Sequence, residues 1–329
     1  MKRFLVVGAG SIGVRHIRCL IHLGYNSIAA LRTKKGSSKE LPKELGPSVT
    51  ELFSWNEVID WEPTHMIVSN PTSLHLDTVL KGIENKYEIL VEKPFVDSYN
   101  LLNSNPIFNK ISSYNNGRVA YNLRFNSVFK FLKNVVESCV YGDVKRGELV
   151  VGHYLPFWHP NEDYRESYAA KKELGGGVLR TLSHELDLSQ FLFGSFKKVF
   201  SKVSKVSELE IDVDDTVDIV LECKNCNNIY IHLDYLNPIP IREGRLFMAQ
   251  GLIKYDYFKK EVNFTSYATK QNELIFSGTD DYDSQYVNQL LDFINKGNTG
   301  CNFREGLMVD KLIESCEKSS KENQSICLD

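Results

Sequence analysis

Three glycines near the N-terminus impose the strongest constraint on how this chain folds. Gly8, Gly10 and Gly13 form a GxGxxG pattern that directly follows the apolar run Phe4–Val7 and directly precedes a stretch with helical spacing. In such a unit the first glycine permits a tight turn, the second lets the backbone approach a pyrophosphate, and the third lets the helix pack closely on the strand. The pattern favours a dinucleotide site over a tight turn alone. The predicted contacts here are Gly8, Gly10, Ser11, Ile12 and Gly13.

The segment 1–122 alternates short apolar runs with stretches of helical spacing, which is typical of βαβ units and a parallel sheet. The predicted strands are Phe4–Val7, Ser27–Leu31, His65–Ser69, Glu88–Val91 and Val119–Asn122. The predicted helices are Ile12–Leu23, Ser73–Glu84 and Ser98–Leu102, with Thr72 and Ser73 as candidate N-caps. We therefore expect residues 1–122 to form a doubly wound, NAD(P)-binding domain of the Rossmann type.

Residues 123–329 have a different pattern, in which one amphipathic helix is followed mainly by alternating segments. The predicted strands are Val144–His153, Val213–Glu222, Ile229–Leu236, Gly244–Gln250, Gly251–Tyr257 and Glu261–Thr265. The predicted helices are a stretch ending at Tyr141, Val178–Phe193, Ser284–Ile294 and Arg304–Cys316. This half predicts an α+β domain for substrate binding and oligomerisation, with a largely antiparallel or mixed open sheet, so the expected fold class is α/β.

Composition and charge narrow the possible partners. The net charge of −3 and the pI near 6.3 give no basic footprint for nucleic acid. No apolar run approaches the roughly 20 residues of a membrane helix. The seven cysteines are odd in number and irregularly spaced, which favours reduced thiols in a cytoplasm. Because Cys223 and Cys226 have no second ligand pair, we expect a hairpin turn there and no metal site.

The end of the second predicted strand bears on the choice between NAD and NADP. An acidic residue at this place binds the ribose 2′-hydroxyl and repels a 2′-phosphate. The sequence from Leu31 to Lys35 has no carboxylate, and Arg32 and Thr33 could both bind a phosphate. We therefore expect NADP, with NAD as the alternative. A solvated basic loop would have the same sequence.

Glu92, Lys93 and Pro94 follow the predicted strand Glu88–Val91. This places them at the carboxyl edge of the parallel sheet, where open α/β folds bind their ligands. Pro94 restricts the backbone of Lys93, and a lysine fixed there can donate a hydrogen bond to a substrate oxygen. Alone, the tripeptide would be read as surface, but its position after the glycine unit favours a catalytic Lys93.

At this point the chain resembles the Gfo/Idh/MocA oxidoreductases, which couple an N-terminal GxGxxG to a later Glu-Lys-Pro. The resemblance extends over the whole chain. It implies cofactor contacts near the nicotinamide and at the crossover into the second domain, in addition to Glu92 and Lys93: Asn70, Pro71, His75 and Arg124. The run Gly175–Leu179, followed by His184 and Asp187, resembles the family's catalytic helix. The resemblance also implies a homodimer or homotetramer.

His184 is the candidate general base, because a histidine titrates near working pH and an alcohol must lose a proton as hydride leaves. Asp187 lies three residues on, on the same helical face, and could orient the imidazole or bind a hydroxyl. A resembled subgroup carries Trp158-His159-Pro160 and Asp163-Tyr164-Arg165, and we associate it with sugar or nucleotide-sugar metabolism, often of surface glycans. The candidate substrate contacts are Trp158, Tyr164, Arg165, Thr181 and His184.

One departure from the family pattern leaves alternatives open. Many members have an aspartate one turn before the histidine, where this chain has Arg180 and Thr181. Asp187 and Glu185 are the only nearby carboxylates that could take its place. The favoured hypothesis is an enzyme that oxidises or reduces a carbinol carbon of a sugar, nucleotide sugar or cyclitol. A non-catalytic NADP-binding regulator and a glycoside hydrolase that uses NAD transiently are the two competing hypotheses.

Overall fold

The computed structural model describes residues 1–32, 41–158 and 163–328. The chain divides into two compact units. The first comprises Met1–Phe125 and Asp281–Leu307, and the second comprises Asn126–Asp280 and Met308–Asp329. The predicted division between residues 122 and 123 lies close to the boundary after Phe125, but the chain returns to the first unit for residues 281–307. The return has a packing cause: Leu290, Phe293 and Ile294 are buried in the core of the first unit.

The strands of the described residues lie in two sheets. In chain order they are β1 (Phe4–Val7), β2 (Ile28–Leu31), β3 (Thr50–Leu52), β4 (His65–Val68), β5 (Glu88–Val91), β6 (Gly117–Val119), β7 (Val144–Gly152), β8 (Phe196–Ser204), β9 (Thr216–Cys223), β10 (Cys226–Asp234), β11 (Ile241–Met248), β12 (Gly251–Asp256), β13 (Glu261–Ser266), β14 (Asn272–Ser277), β15 (Cys301–Asn302) and β16 (Ile326–Cys327).

The α-helices vary widely in length. In chain order they are α1 (Ser11–His22), α2 (Trp55–Trp61), α3 (His75–Glu84), α4 (Tyr99–Asn103), α5 (Ile107–Ser112), α6 (Ser127–Ser138), α7 (Leu155–Trp158), α8 (Val178–Thr181), α9 (His184–Phe193), α10 (Ser284–Ile294) and α11 (Phe303–Glu322). Short 3₁₀ turns lie at Gly46–Ser48, Thr72–Leu74, Asn122–Phe125, Tyr164–Glu166, Tyr168–Ala170 and Lys172–Leu174. Within the described ranges, none of the helices is both long and apolar enough to cross a membrane.

The first unit contains a sheet with the order β15-β6-β5-β4-β1-β2-β3. Its strands pair in parallel except for β15, which pairs antiparallel with β6. The central strand β1 is buried at all four residues because helices cover both faces of such a sheet. The predicted Rossmann-type fold of this half is confirmed, and its carboxyl edge brings together the segments that follow β1, β2, β4 and β5.

The second unit contains a sheet with the order β14-β13-β12-β11-β7-β10-β9-β8-β16. Only the β7 and β10 pair is parallel among its described pairings. Along β9 and β10 the side chains alternate between the two faces. One face is core, with Ile219 and Ile231 fully buried, whereas Val220 on the other face is 50% exposed. The predicted open, largely antiparallel sheet is therefore confirmed.

Several local predictions need correction. Strands β3, β8, β14, β15 and β16 were not predicted, because β3, β15 and β16 are only two or three residues long, the apolar residues of β14 do not alternate with polar ones, and the lysines of β8 obscure its alternation. The predicted helix Val178–Phe193 is interrupted at residues 182 and 183, so that His184 begins a new helix. The predicted N-caps Thr72 and Ser73 are wrong, since both lie inside a 3₁₀ turn. The predicted hairpin at Cys223 and Cys226 is confirmed, with the two residues paired across the turn.

A charged cluster on the open face of the second sheet makes folding stability depend on pH. His232 Nε2 lies 3.2 Å from Asp234 Oδ2, and its Nδ1 lies 2.7 Å from Asp218 Oδ1. The hydrogen bond to Asp234, with the further contact to Asp218, raises the pKa of His232 to about 9 against the loss of solvation. An unfolded histidine titrates near 6.5, so this contribution is complete below about pH 6.5 and is lost as the pH rises through about 9.

We therefore expect the free energy of unfolding to fall between pH 6.5 and 9.5, and we expect the His232→Gln variant to lose part of that fall. Urea unfolding at both pH values measures the effect. The exposed His22 on α1 provides the control, because His22→Asn should leave the pH dependence unchanged. An identical pH dependence in wild type and His232→Gln would contradict the assignment.

Candidate functional site

In the glycine loop after β1, neighbouring backbone atoms lie close to two of the glycines, Gly8 and Gly13. Gly8 has a φ of +92°, and a Cβ there would lie 2.7 Å from the backbone nitrogen of Asn70. A Cβ on Gly13 would lie 2.1 Å from the carbonyl oxygen of Gly8. Larger residues cannot occupy either position without shifting backbone. The loop is therefore held tightly against the segment that follows β4.

The front of the loop is open. A Cβ placed on Gly10 would meet no atom within 4 Å, and Gly10 is the N-cap of α1. The first turn of α1, which begins with Ser11 and Ile12, contains no acidic residue. The backbone N–H groups and the positive end of the helix dipole thus face space that an anion can occupy.

The segment after β4 contributes a buried acceptor. Asn70 donates through Nδ2 to Thr78 Oγ1 at 2.9 Å, whereas its Oδ1 is buried without a hydrogen-bond partner among the described residues. An unsatisfied buried acceptor costs stability unless a ligand or water supplies a donor. The neighbouring Pro71 is exposed. The open helix terminus and this acceptor together fit a dinucleotide bound at the edge of the sheet.

His75 connects two of the predicted segments. Its Nδ1 lies 3.0 Å from the carbonyl oxygen of Pro94, and its Nε2 lies 2.9 Å from that of Asn70. Burial lowers the pKa of His75, although both carbonyls act in the opposite direction. The side chain is 1% exposed. This geometry gives His75 a positioning role for the Asn70 and Pro94 segments.

The Glu-Lys-Pro segment lies directly after β5. One Glu92 carboxylate oxygen is 2.8 Å from His16 Nε2, and the other accepts from the Lys93 N–H at 3.3 Å. His16 is a fully buried residue of α1 that was not recognised from the sequence. Its spacing after Gly13 was the only signal available. The His16–Glu92 contact joins the glycine-loop helix to the segment that carries Lys93, which is half-buried at this edge.

The end of β2 presents Arg32, but not as an isolated cation. Arg32 Nη1 forms an ion pair with the Glu51 carboxylate on β3. Glu51 was not recognised from the sequence because β3 was not predicted. Thr33 lies outside the described residues. Arg124 is likewise paired, with its Nη1 3.0 Å from Glu305 Oε2, and its side chain is 3% exposed.

The second unit contains the other two catalytic candidates, His184 and Asp187, on the first turn of α9. His184 is half-buried and Asp187 is 1% exposed. Between them, Glu185 forms a buried ion pair with Arg242 of β11, with 2.6 Å between Oε1 and Nε. Removing one partner from such a pair typically costs about 3–5 kcal/mol. This pair, which the sequence did not reveal, anchors the start of the helix that carries His184.

The residues that replace the family's aspartate have structural contacts. Arg180 Nη2 lies 2.9 Å from Glu317 Oε1, which ties α8 to α11. Thr181 is 3% exposed. Burial raises the pKa of the Tyr235 phenol, and a hydrogen bond with the Thr181 hydroxyl opposes that shift. The N–H of Leu179 donates to Asp214 Oδ2 at 2.9 Å. Sequence reasoning missed Asp214, which caps α8 from a distant segment.

The predicted substrate contacts differ in their surroundings. Trp158 stacks on His153, with ring centroids 5.9 Å apart and planes inclined by 14°. Burial and the nearby Arg242 lower the pKa of His153 to about 4, so the ring is neutral at pH 7. Tyr164 accepts through its hydroxyl from the N–H of Glu210 at 3.2 Å. His159 lies outside the described residues.

Arg165 is exposed and surrounded by carboxylates. Its Nη2 is 2.8 Å from Asp163 Oδ2, and its Nη1 is 3.4 Å from Glu210 Oε2. The hydrogen bond to Asp163 is the main cause that raises the pKa of this guanidinium. The carboxylates of Asp163 and Glu210 therefore offset the positive charge of Arg165, which an anionic substrate would need for binding.

Comparisons with known proteins agree with this architecture. Residues 2–104 match a family model described as "Oxidoreductase family, NAD-binding Rossmann fold", and residues 129–251 match one described as "GFO/IDH/MocA C-terminal domain". An "Uncharacterized oxidoreductase" of Streptococcus pneumoniae serotype 4 is 27% identical over 236 residues, which are 68% of this chain. The match spans 60% of that relative's length.

Two solved structures of similar fold are dehydrogenases. A levoglucosan dehydrogenase in complex with NADH has a TM-score of 0.85 at 15% identity, over 100% of this chain and 99% of the other. A myo-inositol dehydrogenase from Corynebacterium glutamicum has a TM-score of 0.79 at 20% identity, again over 100% and 99% of the two chains. With both family models matched in order along its length, the chain belongs to the Gfo/Idh/MocA family of oxidoreductases, with an NAD-binding Rossmann fold.

Proposed function

We propose that the protein is an NAD(P)-dependent dehydrogenase that transfers a hydride between the nicotinamide and a carbinol or carbonyl carbon of a sugar, nucleotide sugar or cyclitol. The observation that carries this proposal is the edge of the first sheet. There the open glycine loop, the buried acceptor of Asn70 and the half-buried Lys93 follow neighbouring parallel strands. The named activities of the two similar structures, on levoglucosan and on myo-inositol, support the same substrate class.

The residues divide the chemistry between them. A nicotinamide cofactor, when bound, would accept or supply the hydride. Lys93 donates a hydrogen bond to the reacting oxygen, and His184 exchanges the proton that must move when an alcohol and a carbonyl interconvert. Asp187, three residues after His184, orients the imidazole or binds a substrate hydroxyl. His16 and Glu92 are positioning residues for Lys93, because they fix the backbone of its segment.

The second unit offers a surface suited to a polyhydroxylated ring. Trp158 and the neutral His153 present stacked rings that can contact the apolar C–H face of a sugar. A neutral imidazole also donates one hydrogen bond and accepts another, as hydroxyl recognition requires. Tyr164, Arg165 and Thr181 complete the proposed contacts. We extend the proposal to a cytoplasmic homodimer or homotetramer in surface-glycan metabolism.

A substrate panel tests the activity. The protein is incubated with NAD(H) or NADP(H) and with anhydrosugars, cyclitols, nucleotide sugars and sugar acids, while nicotinamide absorbance is followed. Turnover with at least one of these substrates is the expected result. Tight sugar binding without any redox change would instead support a regulator, the alternative that the loss of the family's aspartate to Arg180 and Thr181 favours. Glycoside cleavage without net cofactor change would indicate the hydrolase.

We further propose that NADP is the preferred cofactor, because Arg32 lies at the end of β2 without an acidic residue beside it in sequence. The wild type should bind NADPH more tightly than NADH, and Arg32→Asp should abolish or reverse that order by repelling the 2′-phosphate. Titration of the reduced cofactors' fluorescence measures both affinities. Equal affinities in the wild type, unchanged in Arg32→Asp, would refute the NADP proposal.

A further inference from the structure

The neighbouring strand places a carboxylate beside Arg32. Ala30 of β2 is the partner of Glu51 of β3 in the parallel register. The Arg32 N–H donates to the carbonyl oxygen of Leu52 at 2.9 Å, so the pairing continues one residue past the end of β2. Alternate residues of a strand share a face, which puts the side chains of Arg32 and Glu51 on the same side of the sheet.

The two side chains form an ion pair whose members differ in exposure. The Arg32 side chain is 9% exposed, whereas that of Glu51 is 37% exposed. The positive charge is thus largely enclosed and the negative charge is half open to solvent. Solvent and salt screen partly buried charges less than exposed ones, so the Glu51 carboxylate acts strongly on the Arg32 guanidinium. An anion that approaches Arg32 therefore finds its positive charge already offset by Glu51.

The Arg32–Glu51 pair lies next to the glycine loop, where it can affect cofactor binding. The N–H of Gly8 donates to the carbonyl oxygen of Leu31 at 3.2 Å, so Arg32 directly follows a residue in contact with the glycine loop. In folds of this type the end of β2 faces the adenosine ribose. A carboxylate that comes from β3 can therefore act on the 2′ position although residues 32–35, directly after β2, contain none.

We infer that Glu51 is a selectivity residue, which acts through Arg32 to weaken the preference for a dinucleotide that carries a 2′-phosphate. The inference rests on the proposed binding of that cofactor at the end of β2. It assigns to Glu51 the role of moderating Arg32, so that both reduced dinucleotides remain usable. A purely structural ion pair would not discriminate between NADPH and NADH.

The test is a double-mutant cycle on the full chain. Glu51→Gln should tighten NADPH binding about three- to tenfold and change NADH binding by less than about twofold, the scale of a partly exposed ion pair. In an Arg32→Ala background the same substitution should give no gain for NADPH. Fluorescence titration of both reduced cofactors provides the readout and requires no turnover.

Two control variants separate the loss of charge at residue 51 from other effects of substitution. Glu51→Asp keeps the negative charge and should retain the wild-type affinity ratio. Glu44→Gln removes a carboxylate from another Arg–Glu pair of the first unit, with Arg18 Nη2, and should also leave the ratio unchanged. Thermal melting of each variant establishes that the fold is intact. If Glu51→Gln is unfolded, Glu51→Ser replaces it in the cycle.

The outcomes separate this inference from the NADP proposal. A wild type that prefers NADH, combined with a Glu51→Gln shift toward NADPH through Arg32, would refute NADP preference and support the role of Glu51. Weaker NADH binding in Glu51→Gln would overturn the inference, because Glu51 would then accept from the ribose hydroxyl directly. An unchanged ratio, weaker NADPH binding, or a gain that persists without Arg32 would also overturn it.

Discussion

Replacing Lys93 by methionine is expected to lower turnover about 100-fold or more while the affinity for the nicotinamide cofactor stays nearly unchanged. Methionine retains much of the length and apolar character of the lysine stem but cannot donate a hydrogen bond to the substrate oxygen. Lys93 is only one of the proposed cofactor contacts, and the glycine loop and Asn70 are retained in the variant. The two effects should therefore separate.

The measurement combines steady-state kinetics with cofactor titration. Lys110→Met is the matched control, because it removes the same ammonium group from an exposed site on the first unit, where Lys110 pairs with Glu84 at 3.4 Å. We expect wild-type turnover in this control. Wild-type turnover in Lys93→Met would refute the catalytic assignment, and a parallel loss of cofactor affinity would make Lys93 a cofactor residue instead.

The fold was predicted best where a local pattern coincides with burial. Strands β1 and β5 have the predicted limits, because each is an apolar run buried in the parallel sheet. Helix α10 also has its predicted limits, yet its assignment to the first unit was not foreseen. Periodicity reports that a helix has an apolar face. It does not show which hydrophobic core covers that face, because the residues of that core can lie far away in the sequence.

The candidate site shows the same limit at the level of side chains. Gly8 and Gly13 were recognised because motif spacing encodes their positions in one strand–turn–helix unit, and Lys93 because it closely follows the apolar strand β5. His16 and Glu51 were missed, because each acts through a partner 76 or 19 residues away. Such contacts depend on strand order and register, which the sequence alone does not specify.

Charged residues illustrate the difficulty most clearly. From sequence, Arg32 was predicted to bind a phosphate and Arg165 to contact the substrate, since a guanidinium suits an anionic group. In the structure, Arg32 is paired with Glu51, and Arg165 lies between Asp163 and Glu210. The residue type gives the kind of chemistry available, whereas the packed neighbours determine how much of the charge remains for a ligand.

Replacing His184 by asparagine is expected to lower turnover about 100-fold or more and to remove one ionisation from the pH dependence of kcat/KM. As general base for alcohol oxidation, the imidazole must be neutral, so wild-type kcat/KM should fall as the pH drops through its pKa. Asparagine does not titrate in this range. A variant that lacks the proton exchanger should therefore show a flatter acid limb.

The pH profile distinguishes this role from a structural one, because a poorly folded variant loses activity without losing the ionisation of the fraction that remains active. The rate is measured with the best substrate of the panel at saturating cofactor, across about pH 5 to 9, the range over which a histidine titrates. His22→Asn, at an exposed position of α1, should keep the wild-type profile. If the acid limb persists in His184→Asn, another group exchanges the proton, and Asp187 on the same turn of α9 becomes the first candidate.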